Sequence, residues 1–160
     1  MQKILCLLLL CTALASCVHQ RVYANDLPCS ELMDAAEDQI PVDFGYDTFS
    51  GDHLRYYFAD TKLPDDSCLR YSTRSEDINE FGIFHVHDDT AREELKKLTE
   101  EYLETMKNDQ HAFIASYAPE ELPKLERAEV RVFGNYVAYA ILSDEDRALF
   151  FDTVEKKLSE

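Results

Sequence analysis

The longest apolar stretch of the chain runs from Ile4 to Leu14, broken only by Thr12, and it follows a single positive charge at Lys3. Eleven residues in a helix cover about half of a bilayer's hydrocarbon core, so this run reads as an export signal and not as a membrane span. Residues 18–26 are polar and show no apolar period, which makes them a tether. From Leu27 the pattern changes to one that folds. Cys29, Leu32, Ala36 and Ile40 fall at helical spacing between Pro28 and Pro41. Val42 to Gly51 reads as an irregular connection from which Phe44, Tyr46 and Phe49 can reach a core, and Leu54, Tyr57 and Phe58 share a face of a short second helix.

Pro64-Asp65-Asp66 predicts a turn into a strand over Cys68 to Ser72. Glu80 to His87 then alternates, with Phe81, Ile83, His85 and His87 on one face and Gly82, Phe84 and Val86 on the other. Thr90 with Glu93 suits a capping box for a long helix whose stripe is Ala91, Leu95, Leu98, Tyr102, Met106 and Phe113, ended by Ala118-Pro119. Val130 and Val132 lead to Gly134-Asn135, a two-residue hairpin turn, and Tyr136 to Leu142 returns as the most hydrophobic strand. Ser143 with Asp146 caps a closing helix that turns Phe150, Val154 and Leu158 inward. About four strands with a hairpin, a long central helix and a C-terminal helix define an α+β domain with a mostly antiparallel sheet. Strand order is not legible.

Leu14-Ala15-Ser16-Cys17 resembles the lipobox of bacterial lipoproteins, in which cleavage falls between the positions of Ser16 and Cys17 and the cysteine carries the acyl chains. The organisation expected is a signal peptide over 1–16, a lipidated N-terminus and tether over 17–26, and one α+β domain over 27–160. Two or three acyl chains of the palmitate type hold a protein firmly, each buried methylene contributing about 0.8 kcal/mol. The expected location is the extracytoplasmic face of the cell membrane or the outer membrane. Val18 is not an acidic retention signal, which favours the outer membrane where a cell has two.

Charge narrows the partners. The chain carries a net charge of −16, and losing Lys3 with the signal takes it to −17. Such a protein cannot neutralise phosphates, so nucleic acid is excluded as a partner, and the acidity chiefly keeps the domain soluble and off anionic headgroups. After removal of Cys6 and Cys11, and lipidation of Cys17, Cys29 and Cys68 remain. They can pair as a disulfide in an oxidising compartment or stand as two separate buried thiols.

Asn79-Glu80-Phe81-Gly82-Ile83-Phe84-His85-Val86, the long charged helix, Ser116-Tyr117-Ala118-Pro119-Glu120 and Gly134-Asn135-Tyr136-Val137 together resemble the exported bacterial family called domain of unknown function 4358. The resemblance runs from about Leu54 to Leu158 and implies a small α+β lipoprotein with no established activity. In that family the positions of His85 and His87 are more usually basic or variable, so the resemblance gives these histidines no defining role.

Candidate chemistry is sparse. His85, His87, Asp88 and Asp89 form the one metal-like cluster, but a third or fourth ligand has to come from a remote group such as His53, Asp109 or His111. Most tyrosines read as core or core edge, with Tyr117 packing its ring at the helix end. Acidic pairs such as Glu93-Glu94, Glu100-Glu101 and Glu120-Glu121 read as a solvated helix face. No GxSxG, P-loop, HExxH or dinucleotide fingerprint occurs, so no catalytic residues and no cofactor are assigned. The expected protein is a non-enzymatic cell-envelope lipoprotein that binds another envelope protein or a small ligand. The alternative is a metal-binding lipoprotein using His85 and His87; an unrecognised hydrolase comes third.

Overall fold

The computed structural model describes residues 22–41, 45–47 and 63–160. Within them the chain forms α1 (Cys29–Glu37), β1 (Tyr46–Asp47), β2 (Asp66–Ser72), β3 (Glu80–His85), α2 (Asp89–Tyr117), a 3-10 turn (Pro119–Glu121), α3 (Leu122–Glu126), β4 (Glu129–Phe133), β5 (Tyr136–Ile141) and α4 (Asp144–Leu158). The expected short helix around Leu54 to Phe58, and Cys17, Phe44, Phe49 and His53, lie outside the described residues.

The strands make one antiparallel sheet in the order β1-β2-β3-β5-β4. The four expected strands are all present. To them is added the two-residue edge strand β1, in a stretch that reads as irregular connection because Gly45 interrupts any alternation. β3 and β5 lie in the interior of the sheet and are buried on both faces, which is why their sequences are apolar almost without a break. Phe81, Ile83, Tyr136, Ala138 and Ala140 face one core with Cys29, Leu32, Phe150, Phe151 and Val154. Phe84, Val137, Tyr139 and Ile141 face the other with Leu95, Tyr102, Leu103 and Leu125. Helices α1 and α4 thus cover one face and α2 with α3 the other, a three-layer arrangement around an antiparallel sheet.

The N-terminus of α1 is capped from a distance. Its N-cap residue is Pro28, whose side chain makes no capping hydrogen bond. Instead the Cys29 N–H donates to Asp66 Oδ2 on β2 at 2.7 Å. At the other end of the helix Glu37 accepts two hydrogen bonds from Arg70, at 2.8 and 3.3 Å. Asp66, Cys68 and Arg70 are alternate residues of one strand, so all three face α1. Four strand residues span about 13 Å and eight helix residues about 12 Å, which puts the two polar clamps in register with the ends of the helix. Replacing a capping carboxylate typically costs about 1 kcal/mol. Asp66→Ala is therefore expected to lower unfolding free energy by about that amount in urea titration, and an unchanged midpoint would show that the cap carries no stability.

Two expectations about α2 need correction. Its N-cap is Asp88, whose Oδ1 accepts from the Ala91 N–H at 2.8 Å, and not Thr90, which lies inside the helix. Phe113 is exposed, while Leu103 and Ile114 are buried. Beyond Tyr102 the helix packs on the Pro119–Glu121 turn and α3, which follow Ala118-Pro119 and turn a different stripe inward.

Packing on the core reaches back to Tyr23. Its hydroxyl donates to Glu155 at 2.9 Å, its ring meets Phe133 edge-on, and the Ala24 N–H donates to Leu158 O at 2.7 Å. Gly134 (φ 57°) forms the hairpin turn there, in a left-handed conformation that favours glycine, and Tyr23 and Asn25 lie against it.

Candidate functional site

The sheet has two ends with different chemistry. At the first, the tether, the C-terminus of α4, the Gly134-Asn135 turn, the end of β3, the start of β2 and the starts of α1 and α2 all converge. The contacts that gather them include the Val86 N–H to Asn135 O at 3.0 Å, the Asp65 N–H to His85 O at 2.9 Å and the Tyr136 hydroxyl to Leu27 O at 2.8 Å.

This end holds the histidines. β3 ends at His85, so His87 lies beyond the strand and not at an alternate position of it, and what the two rings share is Asp65: His87 Nδ1 lies 3.2 Å from Asp65 Oδ1, and His85 Nδ1 lies 3.6 Å from Oδ2. Asp65 was legible only as part of a turn. His87 Nε2 also meets Asp88 Oδ2 at 3.2 Å, while Asp89 turns away to pair with Arg92 at 2.7 Å. The Ala91 amide holds the Asp88 carboxyl below its ordinary value, as befits a capping carboxylate. The His85 ring lies 4.8 Å from that of Tyr136, and its Nε2 is buried with no hydrogen-bond partner among the described residues. His111, offered as a remote ligand, instead faces Glu126 at 3.7 Å, far along α2, and Asp109 is exposed on the same part of that helix. Among the described residues no three His, Cys, Asp or Glu side chains are grouped to hold a metal ion.

Cys29 and Cys68 stand as free thiols, both buried in the core beneath α1. Burial pushes the Cys29 thiol up, and the neighbouring Asp66 carboxylate pushes it further. Burial also raises the Cys68 thiol, against the opposing effect of Arg70, whose Nη1 donates to its sulfur at 3.2 Å. Both are held as thiols, the unreactive form.

The other end carries a buried carboxylate. Glu80, at the start of β3, is only 7% exposed, and its Oε1 accepts from the Tyr102 hydroxyl of α2 at 2.7 Å and the Tyr139 hydroxyl of β5 at 2.6 Å. Burial raises the Glu80 carboxyl, with the two tyrosine hydroxyls opposing. Beside it Asp77, Glu121 and Lys124 form a second knot: Lys124 Nζ lies 2.7 Å from Glu121 and 3.5 Å from Asp77, and Glu121 also accepts from the Ile78 N–H. The sequence did hold a signal for Glu80, because strand alternation sets it in phase with Gly82, Phe84 and Val86 on an otherwise apolar face.

At this same end α2 finishes, and two large side chains stand in solvent. Phe113 is 58% and Tyr117 76% exposed, one helical turn apart, with ring centroids 4.7 Å from each other. Tyr117 therefore does not pack its ring against the helix end as its position before Ala118-Pro119 suggested. Tyr102, Tyr136 and Tyr139 are buried as expected.

A five-stranded antiparallel sheet between two helical layers, with a buried glutamate–tyrosine knot and an exposed aromatic pair at one end, defines an α+β domain. Residues 48–142 match the family described as Domain of unknown function (DUF4358), and the chain belongs to that family. The matched segment contains the Asn79 to Val86 motif with β3, all of α2 and the hairpin. No curated protein and no solved structure matches the chain.

Proposed function

We propose that this chain is a lipid-anchored cell-envelope protein whose domain binds a partner outside the cytoplasm and performs no catalysis of its own. The observation that carries the anchor is Cys17, placed directly after Leu14-Ala15-Ser16 and an eleven-residue apolar run. Among the described residues no helix is long and apolar enough to cross a membrane, so retention at a bilayer would fall to the lipid. Four residues separate Cys17 from Val22, a reach of at most about 18 Å over five Cα-to-Cα steps, so the tether end of the sheet would sit close to the bilayer. The family carries no assigned activity, and burial holds the two core thiols in their unreactive protonated form. Binding is supported by the exposed Phe113–Tyr117 pair, since large aromatic side chains left in solvent are the residues that anchor interfaces.

The test is fractionation with intact mass. The mature protein is expected in the membrane fraction as a chain beginning at Cys17 with a diacyl or triacyl adduct, and Cys17→Ala is expected to abolish the adduct and the membrane retention. A Cys17→Ala protein that stays with the membrane at its mature size would refute the anchor.

A further inference from the structure

We propose that the Phe113–Tyr117 end of α2 docks a cationic, amphipathic segment of another extracytoplasmic protein, approached from the side away from the bilayer. The proposal rests on the anchored reading and adds the chemistry of the partner. Three observations select that partner over other occupants.

The first is direction. α2 begins at the tether end, where Arg92 Nη1 reaches Gly134 O at 3.4 Å, and finishes at the Glu80 end, where Glu121 just beyond it holds the Ile78 amide. Twenty-nine helical residues span about 43 Å. With Cys17 in lipid and at most about 18 Å of chain between it and Val22, the aromatic pair points away from the membrane and is not an insertion device.

The second is charge. Along the last turns of α2 and into α3, Glu104 is matched by Lys107 and Glu121 by Lys124, while Glu126 lies 3.7 Å from the His111 ring. Asp109 and Glu120 have no ion partner among the described residues, and both are exposed. Asp109 lies one turn before Phe113 and Phe113 one turn before Tyr117 on the same helix face, whereas Glu120 lies past the helix break at Ala118 in a cleft with Lys124 and Arg127, so the unmatched carboxylate in line with the rings is Asp109. A segment that offers Lys or Arg beside an apolar side chain complements this arrangement. A second copy of the chain would bring two such carboxylates together, each on a chain of net charge −16, which argues against self-association.

The third is size. Phe113 and Tyr117, 58% and 76% exposed, leave less than the about 300–500 Å² of two whole aromatic side chains to bury, well below the roughly 1,200 Å² of a stable interface. This is the area of an anchor for a short segment, with affinity tuned by the flanking carboxylate.

The experiment uses the full-length lipoprotein in its own cells, with a photo-crosslinking phenylalanine analogue in place of Phe113. The expected product is a crosslink to an extracytoplasmic protein within a Lys/Arg-rich amphipathic segment. Its yield should fall at least fivefold in Asp109→Lys, with the thermal midpoint of that variant unchanged. Crosslinks to phospholipid, to a second copy or to an acidic or neutral segment would overturn the proposal, as would a yield indifferent to charge reversal or no crosslink at all. Fractionation of the same cells separates the two readings: loss from the membrane removes the anchor, whereas a membrane-bound protein without the crosslink removes only the docking segment.

Discussion

Glu80→Ala is expected to destabilise the domain by about 3–5 kcal/mol, because it strips the shared acceptor from two tyrosine hydroxyls and leaves a void in a closed core. Both hydroxyls bond the same oxygen, at 2.7 and 2.6 Å, and the residues that present them come from opposite sides of the knot, Tyr102 from α2 and Tyr139 from β5. Taking away a buried hydroxyl's acceptor costs about 1–3 kcal/mol, and two hydroxyls share this one. Glu80→Gln should behave differently, since its amide oxygen still accepts from both tyrosines and carries no charge. Burial raises the Glu80 carboxyl above its unfolded value, so the folded state holds that proton more tightly than the unfolded chain does. The stabilisation this gives is complete below the ordinary glutamate range and is lost as pH rises through the raised folded value. Glutamine never loses it. The variant is therefore expected to gain on the parent as pH rises, being more stable at pH 7.5 than at pH 4.5 relative to it. Urea titrations of all three proteins at both pH values decide the matter. A parent-to-glutamine difference that does not change with pH would mean that the carboxyl is not perturbed by its burial, and an alanine cost under about 1 kcal/mol would mean that the hydroxyls find other partners.

What the sequence disclosed, and what it hid, follows from the range over which each feature acts. Strand phase is local: Phe81 and Ile83 face one core and Phe84 and Val86 the other because side chains alternate, and no distant contact is needed to know it. The hairpin at Gly134-Asn135 and the Ser143 cap of α4 are equally local, and the latter is present as a hydrogen bond from the Asp146 N–H to Ser143 Oγ at 3.1 Å. Features that depend on partners far along the chain were hidden. Asp66 reads as a turn residue until α1 is seen to start against it, 37 residues away. Asp65 gains meaning only when β2 and β3 pair and bring it to His85 and His87. The exposure of Phe113 could not be read because a helical stripe says which residues lie in line, not where the surface they face comes to an end. Residue α3 position Leu125 shows the same limit from the other side, since five helical residues behind a proline give too little period to detect, yet Leu125 is buried in the core.

Gly82→Ala should run against propensity. In a strand interior alanine is ordinarily better than glycine by about 0.5–1 kcal/mol, so a site with room would be stabilised. Here an added Cβ would stand 2.6 Å from Tyr139 Cε1 and 3.1 Å from Leu69 Cγ. Gly82 is the register partner of Tyr139, and the tyrosine ring lies over the glycine. The ring has little freedom to withdraw, for it is stacked on Phe84 at 6.0 Å, meets Tyr102 edge-on at 6.0 Å and is tied through its hydroxyl to Glu80. Moving it far enough to admit a methyl group pulls the hydroxyl from the carboxylate, so the overpacking of about 1–3 kcal/mol is joined by part of a buried hydrogen bond. The net expectation is a loss of about 2–4 kcal/mol by urea titration. The cause is separable from a general intolerance of the strand. Tyr139→Leu on its own should be costly, but in its presence Gly82→Ala should cost less than about 1 kcal/mol, because the clashing ring has gone. Equal costs of Gly82→Ala in the two backgrounds would show that the glycine is required by the backbone and not by the tyrosine. The Asn79 to Phe84 segment carries both Glu80 and Gly82, and this cycle would explain that pairing physically: the glycine admits the ring whose hydroxyl the glutamate then holds.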